Sequence, residues 1–185
     1  MSPPSSRLES LLTALALAEL PRTGWLQAGL APGVPAETIA GHSHLVALLV
    51  LRLGPEVQPA LDVLRATAMA TAHDVAESEL GDLPQAASRA LPPGAKALAE
   101  ETVMATSYPE LEPLCAAFRA QETREARFVR LCDKLQMGLF ALRLTRAGHR
   151  GLESFVESLE ALDCGEFQPT EALHGQLLGA LKGQA

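Results

Sequence analysis

An all-α, single-domain orthogonal bundle is the fold this sequence predicts, on three observations. The apolar content rests on Leu and Ala while aromatic residues make up only 4%, a bias toward helix over strand. Apolar residues recur three and four apart, with Gly and Pro falling between those stretches. Strand-type alternation is nearly absent. Roughly six to eight helices accommodate the pattern, and 185 residues suit one domain with a real core. Residues 7–147 form its centre and residues 151–182 supply C-terminal helices.

The elements follow in order. Ser6 and Glu9 make a capping box for a helix over Arg7 to Leu20, with Leu8, Leu11, Leu12 and Leu15 on one stripe. Pro21 ends it. Arg22 to Pro35, rich in Gly and Pro, reads as an ordered loop carrying the only tryptophan, Trp25. A second helix spans Ala36 to Leu53 and turns at Gly54-Pro55. A third, mostly apolar from Leu61 to Ala72, continues through His73-Asp74-Val75-Ala76-Glu77 until Gly81-Asp82-Leu83-Pro84 breaks the chain. Shorter helices fill Gln85 to Pro113. A long helix from Thr123 to Ala147 presents Phe128, Leu131, Leu135, Leu139 and Leu142 as its core stripe, and Gly148 stops it. Two last helices cover Gly151 to Leu162 and Thr170 to Leu181.

A net charge of −7, from 15 basic and 22 acidic side chains, repels a long phosphate polymer, so no nucleic-acid partner is expected. A small anion received by a local cation remains compatible. Cys115, Cys132 and Cys164 are odd in number and widely spaced, as in a cytoplasmic protein with reduced thiols. The longest apolar run, Leu45 to Leu51, is too short to span a membrane. Residues 1–6 lack the pattern of a secretion signal and read as a frayed terminus.

Chemistry concentrates where polar residues interrupt apolar helices. His73-Asp74 with Glu77 one turn on, His42 in a preceding helix, and Asp133 in the long helix are such interruptions. On a helix Glu77 neighbours both His73 and Asp74. Burying such groups without partners costs roughly several kcal/mol. Two imidazoles and two carboxylates suit a divalent cation with open positions. Any one of these residues alone is more often a hydrogen-bonded core histidine or a surface carboxylate than a ligand.

The sequence resembles the HD-domain phosphohydrolases, and within them the 5′-deoxynucleotidase-like subgroup. Arg22-Thr23-Gly24-Trp25, His42-Ser43, His73-Asp74-x-x-Glu77, Gly81-Asp82-Leu83-Pro84 and Phe128-Val129-x-x-x-Asp133 carry the resemblance, in the same order, across about residues 20–145. It implies that His42, His73, Asp74 and Asp133 bind a divalent metal, and such a donor set accepts Mn, Co, Fe, Mg or Ni. Glu77 and Asp82 would line the site, with Glu77 or Asp74 taking a proton from the attacking water. Arg22 would meet the phosphate. Trp25 would pack near the sugar or, equally, anchor its loop. Many relatives carry an acidic residue directly before the first metal histidine, where this chain has Gly41; that change alters support for the histidine without removing the ligand. His44, His149, His174, Lys134 and Cys132 are expected to stay outside the chemistry.

The implied reaction is hydrolysis of a small phosphomonoester, a (deoxy)nucleoside 5′-monophosphate first of all. The alternatives are other HD chemistry on triphosphates or on cyclic or pyrophosphate-linked nucleotides, against which the scarcity of lysine counts, and a non-catalytic nucleotide-binding module. Relatives are often dimers, and the apolar C-terminal helices are a surface on which a homodimer could form.

Overall fold

The computed structural model describes residues 6–30 and 33–183. Of the terminus expected to fray, residues 1–6, the first five lie outside them, and Ser6 is ordered as the cap of α1. The described chain is helical: α1 Arg7–Ala14, α2 Thr23–Gln27, α3 Ile39–Leu53, α4 Val63–Ala72, α5 Glu77–Leu80, α6 Gln85–Ala90, α7 Ala95–Ser107, α8 Glu112–Ala120, α9 Arg124–Arg146, α10 Glu153–Glu160 and α11 Gln168–Lys182. Short 3₁₀ turns follow α1 and α3. Among the described residues the only β pairing is an isolated antiparallel bridge between Pro21 and Thr38. The helices outnumber the expected six to eight because single turns form where the sequence pattern suggests a loop or a continuous helix.

One such turn is α2, inside the Arg22 loop. Another break matters more. Past Ala72 the chain tightens, with Val75 N bonded to Ala72 O (3.0 Å), Glu77 N to Asp74 O (3.0 Å) and Ser78 N to Val75 O (3.1 Å). The His-Asp pair therefore lies in a turn joining α4 to α5, not within one helix. In that tighter winding residues three apart come into line, so Asp74 and Glu77 face the same way. Gly81 then ends α5 with φ +74°, a backbone region that favours glycine.

The principal core gathers Val46, Val50, Ala66, Met69, Phe128, Val129, Cys132 and Leu135 from α3, α4 and α9. Leu177 and Leu181 of α11 and Leu159 of α10 join it. The C-terminal helices thus spend their apolar faces on α9, so the surface expected to serve a dimer is largely used within the chain. Gly138, mid-α9, makes that approach possible: a Cβ there would come within 2.7 Å of Leu177 Cδ2 and 3.1 Å of Leu159 Cδ1.

Helix α1 corrects the expectation of a leucine core stripe. Ser6 does cap it, accepting from Glu9 N at 3.2 Å. Yet Leu8, Leu11, Leu12 and Leu15 all point outward, each more than half exposed. The face turned inward carries Ser10, whose carbonyl accepts from the Tyr108 hydroxyl at 3.0 Å. Tyr108 in turn meets Ser78 Oγ at 3.0 Å. Polar contact docks α1, and periodicity alone does not tell which face that contact selects. In α9 likewise, Phe128, Leu131, Leu135 and Leu142 are buried, but Leu139 reaches the surface.

Candidate metal centre and its cavity

Three elements converge on one site. His42 comes from the first turns of α3, where Thr38 caps the helix by accepting from Gly41 N at 3.1 Å. His73 and Asp74 come from the turn after α4, and Asp133 from the middle of α9. One ligand-type atom each from His42, His73 and Asp133 lies within 4.8 Å of the others. His42 Nε2 is 3.2 Å from Asp133 Oδ1 and 3.7 Å from Asp74 Oδ2. His73 Nε2 is 3.3 Å from Asp74 Oδ2. Asp74 is therefore beside the cluster, turned partly toward Arg22.

The donor set fits a divalent cation. Both Nε2 atoms are buried without a hydrogen-bond partner, a costly state for an imidazole nitrogen unless something else occupies its lone pair. Each ring's other nitrogen is engaged: His73 Nδ1 with Ala70 O at 2.8 Å and His42 Nδ1 with Gln136 Oε1 at 2.6 Å. That pattern, one nitrogen held and the other offered, is how ligand histidines are oriented.

Charge is dense around the cluster. Burial works against ionising Asp133, but Lys134 and the His42 ring 3.2 Å away outweigh it and hold its carboxyl well below the usual range. Burial also disfavours a charged His42, yet the Asp133 carboxylate 3.2 Å from its Nε2 leaves its pKa raised. Glu77 behaves oppositely to Asp133: burial, then the neighbouring Asp74 charge, push it up to about 9. Arg22 faces all these carboxylates. Its Nη1 donates to Asp74 Oδ2 at 2.9 Å and lies 3.7 Å from both Glu77 and Asp82. Burial opposes its charge, but Asp74, Asp82 and Glu77 keep it firmly protonated.

The cluster opens into a cavity of about 800 Å³, lined by Arg22, Trp25, Asp82 and Phe155 among others. Asp82 accepts from Thr23 N, and Thr23 Oγ1 donates to the Asp82 carbonyl at 2.8 Å, which ties the Gly81 break to the Arg22 loop. Trp25 is buried, stacked on Phe155 (4.2 Å between centroids) and tilted against Phe140 (4.9 Å). Its contacts are those of a loop anchor, while its position also makes it a cavity wall.

Of the residues expected to stand aside, His44 is exposed and His174 Nε2 bonds Leu159 O at 2.8 Å. The three cysteines are buried and unpaired. Burial pushes the Cys132 thiol upward, away from nucleophilic use. Lys134, by contrast, lines the cavity with its Nζ 3.4 Å from Asp133. Sequence reasoning missed Glu37 and Gln136, both buried behind His42. Gln136 follows Asp133 by three residues and so shares its helix face, a usable signal; for Glu37, in the Gly- and Pro-rich approach to α3, no pattern announced it. Glu37 Oε2 lies 4.0 Å from the same His42 Nδ1 that Gln136 meets.

A family model for the HD domain matches residues 16–161. The chain belongs to the HD-domain family. Among characterised proteins, this HD domain is similar to a 5′-deoxynucleotidase of Schizosaccharomyces pombe, 29% identical over 150 residues, spanning 74% of this chain and 72% of that one. A crystal structure from Pyrococcus horikoshii superposes with a TM-score of 0.81 at 30% identity, covering 94% of this chain and 99% of that one. A Pyrococcus furiosus protein gives 0.79 at 28%, covering 92% and 98%. A cyanophage S-2L HD phosphohydrolase, bound to dA and one catalytic Zn²⁺, shares the fold with a TM-score of 0.60 at 24% identity, over 93% and 96% of the two chains. This HD protein is accordingly a phosphohydrolase of the family. Among its described residues no helix is long and apolar enough to cross a membrane.

Proposed function

We propose that this HD phosphohydrolase releases orthophosphate from a nucleoside 5′-monophosphate, with deoxyribose preferred, as the name of its fission-yeast relative suggests. The observation that carries the reading is one cavity in which two orphaned imidazole nitrogens, Asp133 and Asp74 adjoin both a buried carboxyl, Glu77, and a guanidinium, Arg22.

His42, His73, Asp74 and Asp133 would hold the metal, which when bound supplies Lewis-acid polarisation and acidifies a water. The chain's own residues divide the remaining work. Arg22 uses Nη1 for the carboxylates, so the rest of its planar fork is directed to phosphoryl oxygens as their charge grows. Glu77 would take a proton from the attacking water in its ionised form, which a cation held beside it would favour over the proton-holding form of the metal-free protein. Asp82 fixes the Thr23 backbone and through it the Arg22 loop. Trp25 and Phe155 close one wall against solvent. No covalent intermediate is required.

A second reading rests on a specific observation. Lys96 and Lys134, two of the three lysines of the chain, line the cavity with Arg130. Scarcity of lysine therefore does not count against a nucleoside polyphosphate as much as the composition alone would. Phosphate release from a panel of ribo- and deoxynucleoside mono-, di- and triphosphates, with Mn²⁺, Co²⁺, Mg²⁺, Ni²⁺ or Zn²⁺ and after chelation, separates the two. Orthophosphate from deoxynucleoside monophosphates supports the first; pyrophosphate or triphosphate as the product supports the second. No release from any nucleotide with any metal would sink both.

A further inference from the structure

Between the Trp25 loop and the metal-type cluster runs a chain of buried polar contacts whose donors converge on Glu37 from both sides. Trp25 Nε1 donates to Glu37 Oε2 at 3.1 Å. Gln136 Nε2 donates to the other oxygen, Oε1. Gln136 Oε1 meets His42 Nδ1 at 2.6 Å. Trp25, Glu37, Gln136 and His42 are only 2%, 7%, 1% and 1% exposed, so bulk water offers no alternative partners.

We propose that Glu37 sets the tautomer of His42 through Gln136, and is thereby a positioning residue for metal binding. The inference rests on His42 being a metal ligand. An indole N–H can only donate, and a carboxylate can only accept. Glu37 therefore takes a hydrogen bond from Trp25 on one oxygen and demands another on the second. That demand turns the Gln136 amide so that its NH₂ faces Glu37 and its oxygen faces His42. An amide oxygen only accepts, so the His42 proton sits on Nδ1 and the Nε2 lone pair points at Asp133 and His73. Glu37 is anchored for this task by its backbone, whose carbonyl accepts from Arg22 N at 2.7 Å beside the Pro21–Thr38 bridge. The same residue thus pins the loop that carries Arg22.

Changing one acceptor into a donor reverses the relay. In Glu37→Gln the indole still requires the oxygen, so the new NH₂ faces Gln136. The Gln136 amide turns over and presents its NH₂ to His42 Nδ1. The imidazole proton moves to Nε2, the atom that faces the cluster. Every hydrogen bond survives in this variant, yet the ligand lone pair is lost. Adding Gln136→Glu restores the original sense. Trp25 then donates to the oxygen of the introduced amide, the NH₂ of that amide donates to the new carboxylate, and the carboxylate accepts from His42 Nδ1.

The test is calorimetric titration of Mn²⁺ or Co²⁺ into chelator-stripped full-length wild type, E37Q and the E37Q/Q136E double variant, with melting of each metal-free protein measured alongside. The expected result is ten- to hundredfold weaker binding in E37Q with unchanged melting, and a return to wild-type affinity or above in the double variant. Wild-type affinity in E37Q would overturn the inference, as would a double variant that stays weak or does not fold. Should E37Q itself fail to fold, the double variant decides in the same way. A wild type that takes up no ion removes the metal reading and this inference with it, whereas failure confined to the variants removes the inference alone.

Discussion

Individual residues of the site carry opposed charge preferences, and these yield measurable differences. Asp133→Ala and Asp74→Ala are each expected to abolish metal retention and turnover together. Glu77→Ala should keep the metal and lose about 10²- to 10⁴-fold in rate, the range of a missing general base. Inductively coupled plasma analysis beside phosphate release reads both. Metal loss in the Glu77 variant would reassign that residue to the ligand set. Glu77 also shapes stability. Its carboxyl, with an ordinary value of 4.5, is pushed up to about 9 by burial and by Asp74, so between those values the native state holds a proton that the unfolded chain releases. Stability of the metal-stripped protein therefore falls as pH rises through that window. Melting at pH 5 to 9 should show the decline, and Glu77→Gln should flatten it. Asp133 acts at the other end: its depressed pKa stabilises above the ordinary aspartate range, and that contribution fades as pH falls below it. The ligand-type residues were legible because each interrupts an apolar stretch. Glu37 was not, because what makes it matter is Gln136, 99 residues away in sequence.

Elements were legible in kind more than in facing. The Ser6 half of the α1 capping box formed, Ser6 accepting from Glu9 N at 3.2 Å, and the long helix begins where expected, at Thr123, which accepts from Ala126 N at 3.2 Å. The α1 stripe nonetheless faces outward, since amphipathic spacing groups residues on a face without choosing its neighbour. The break between α4 and α5 was invisible for a different reason. His73 to Ala76 holds no Gly or Pro, and i to i+3 bonds tighten the chain there without any residue that forbids a helix. Gly138 sits where two opposing effects meet. Alanine would gain roughly 1 kcal/mol of helix propensity, but its Cβ would press on Leu177 and Leu159 at 2.7 and 3.1 Å, and overpacking costs about 1–3 kcal/mol. The packing term wins. Gly138→Ala is expected to lower the melting temperature by a few degrees, with activity below the melting range little changed; a rise in melting temperature would show that α10 and α11 yield easily.

For the whole molecule, three segments lend groups to one centre, so an ion there ties together stretches distant in the chain. Binding that favours the native state adds about 2.7 kcal/mol at a hundredfold excess over Kd, roughly 5–10 °C for a chain of this size. Melting with and without chelator should show that gap, and Asp133→Ala should erase it. Equal melting in both conditions would mean that the centre forms no tight site. The bundle class and the grouping of His42, His73, Asp74 and Asp133 were readable from the sequence because patterned helices interrupted by polar residues have few ways to hide them. The cavity's outline, including Lys96 and Arg130, depended on how α6, α7 and α10 close around the centre, and short helices of that kind leave little trace in periodicity.

The single tryptophan gives this arrangement a built-in optical probe. Trp25 is shielded from water, stacked on Phe155 and bonded to Glu37, and Tyr108 is the lone tyrosine. Excitation at the red edge of the absorption band therefore reports one indole, and its emission wavelength, lifetime and quenching all come from the loop that carries Arg22. Ion uptake at the centre and reversal of the Glu37 relay both act close to that chromophore, so the enzyme can be followed in solution without a label.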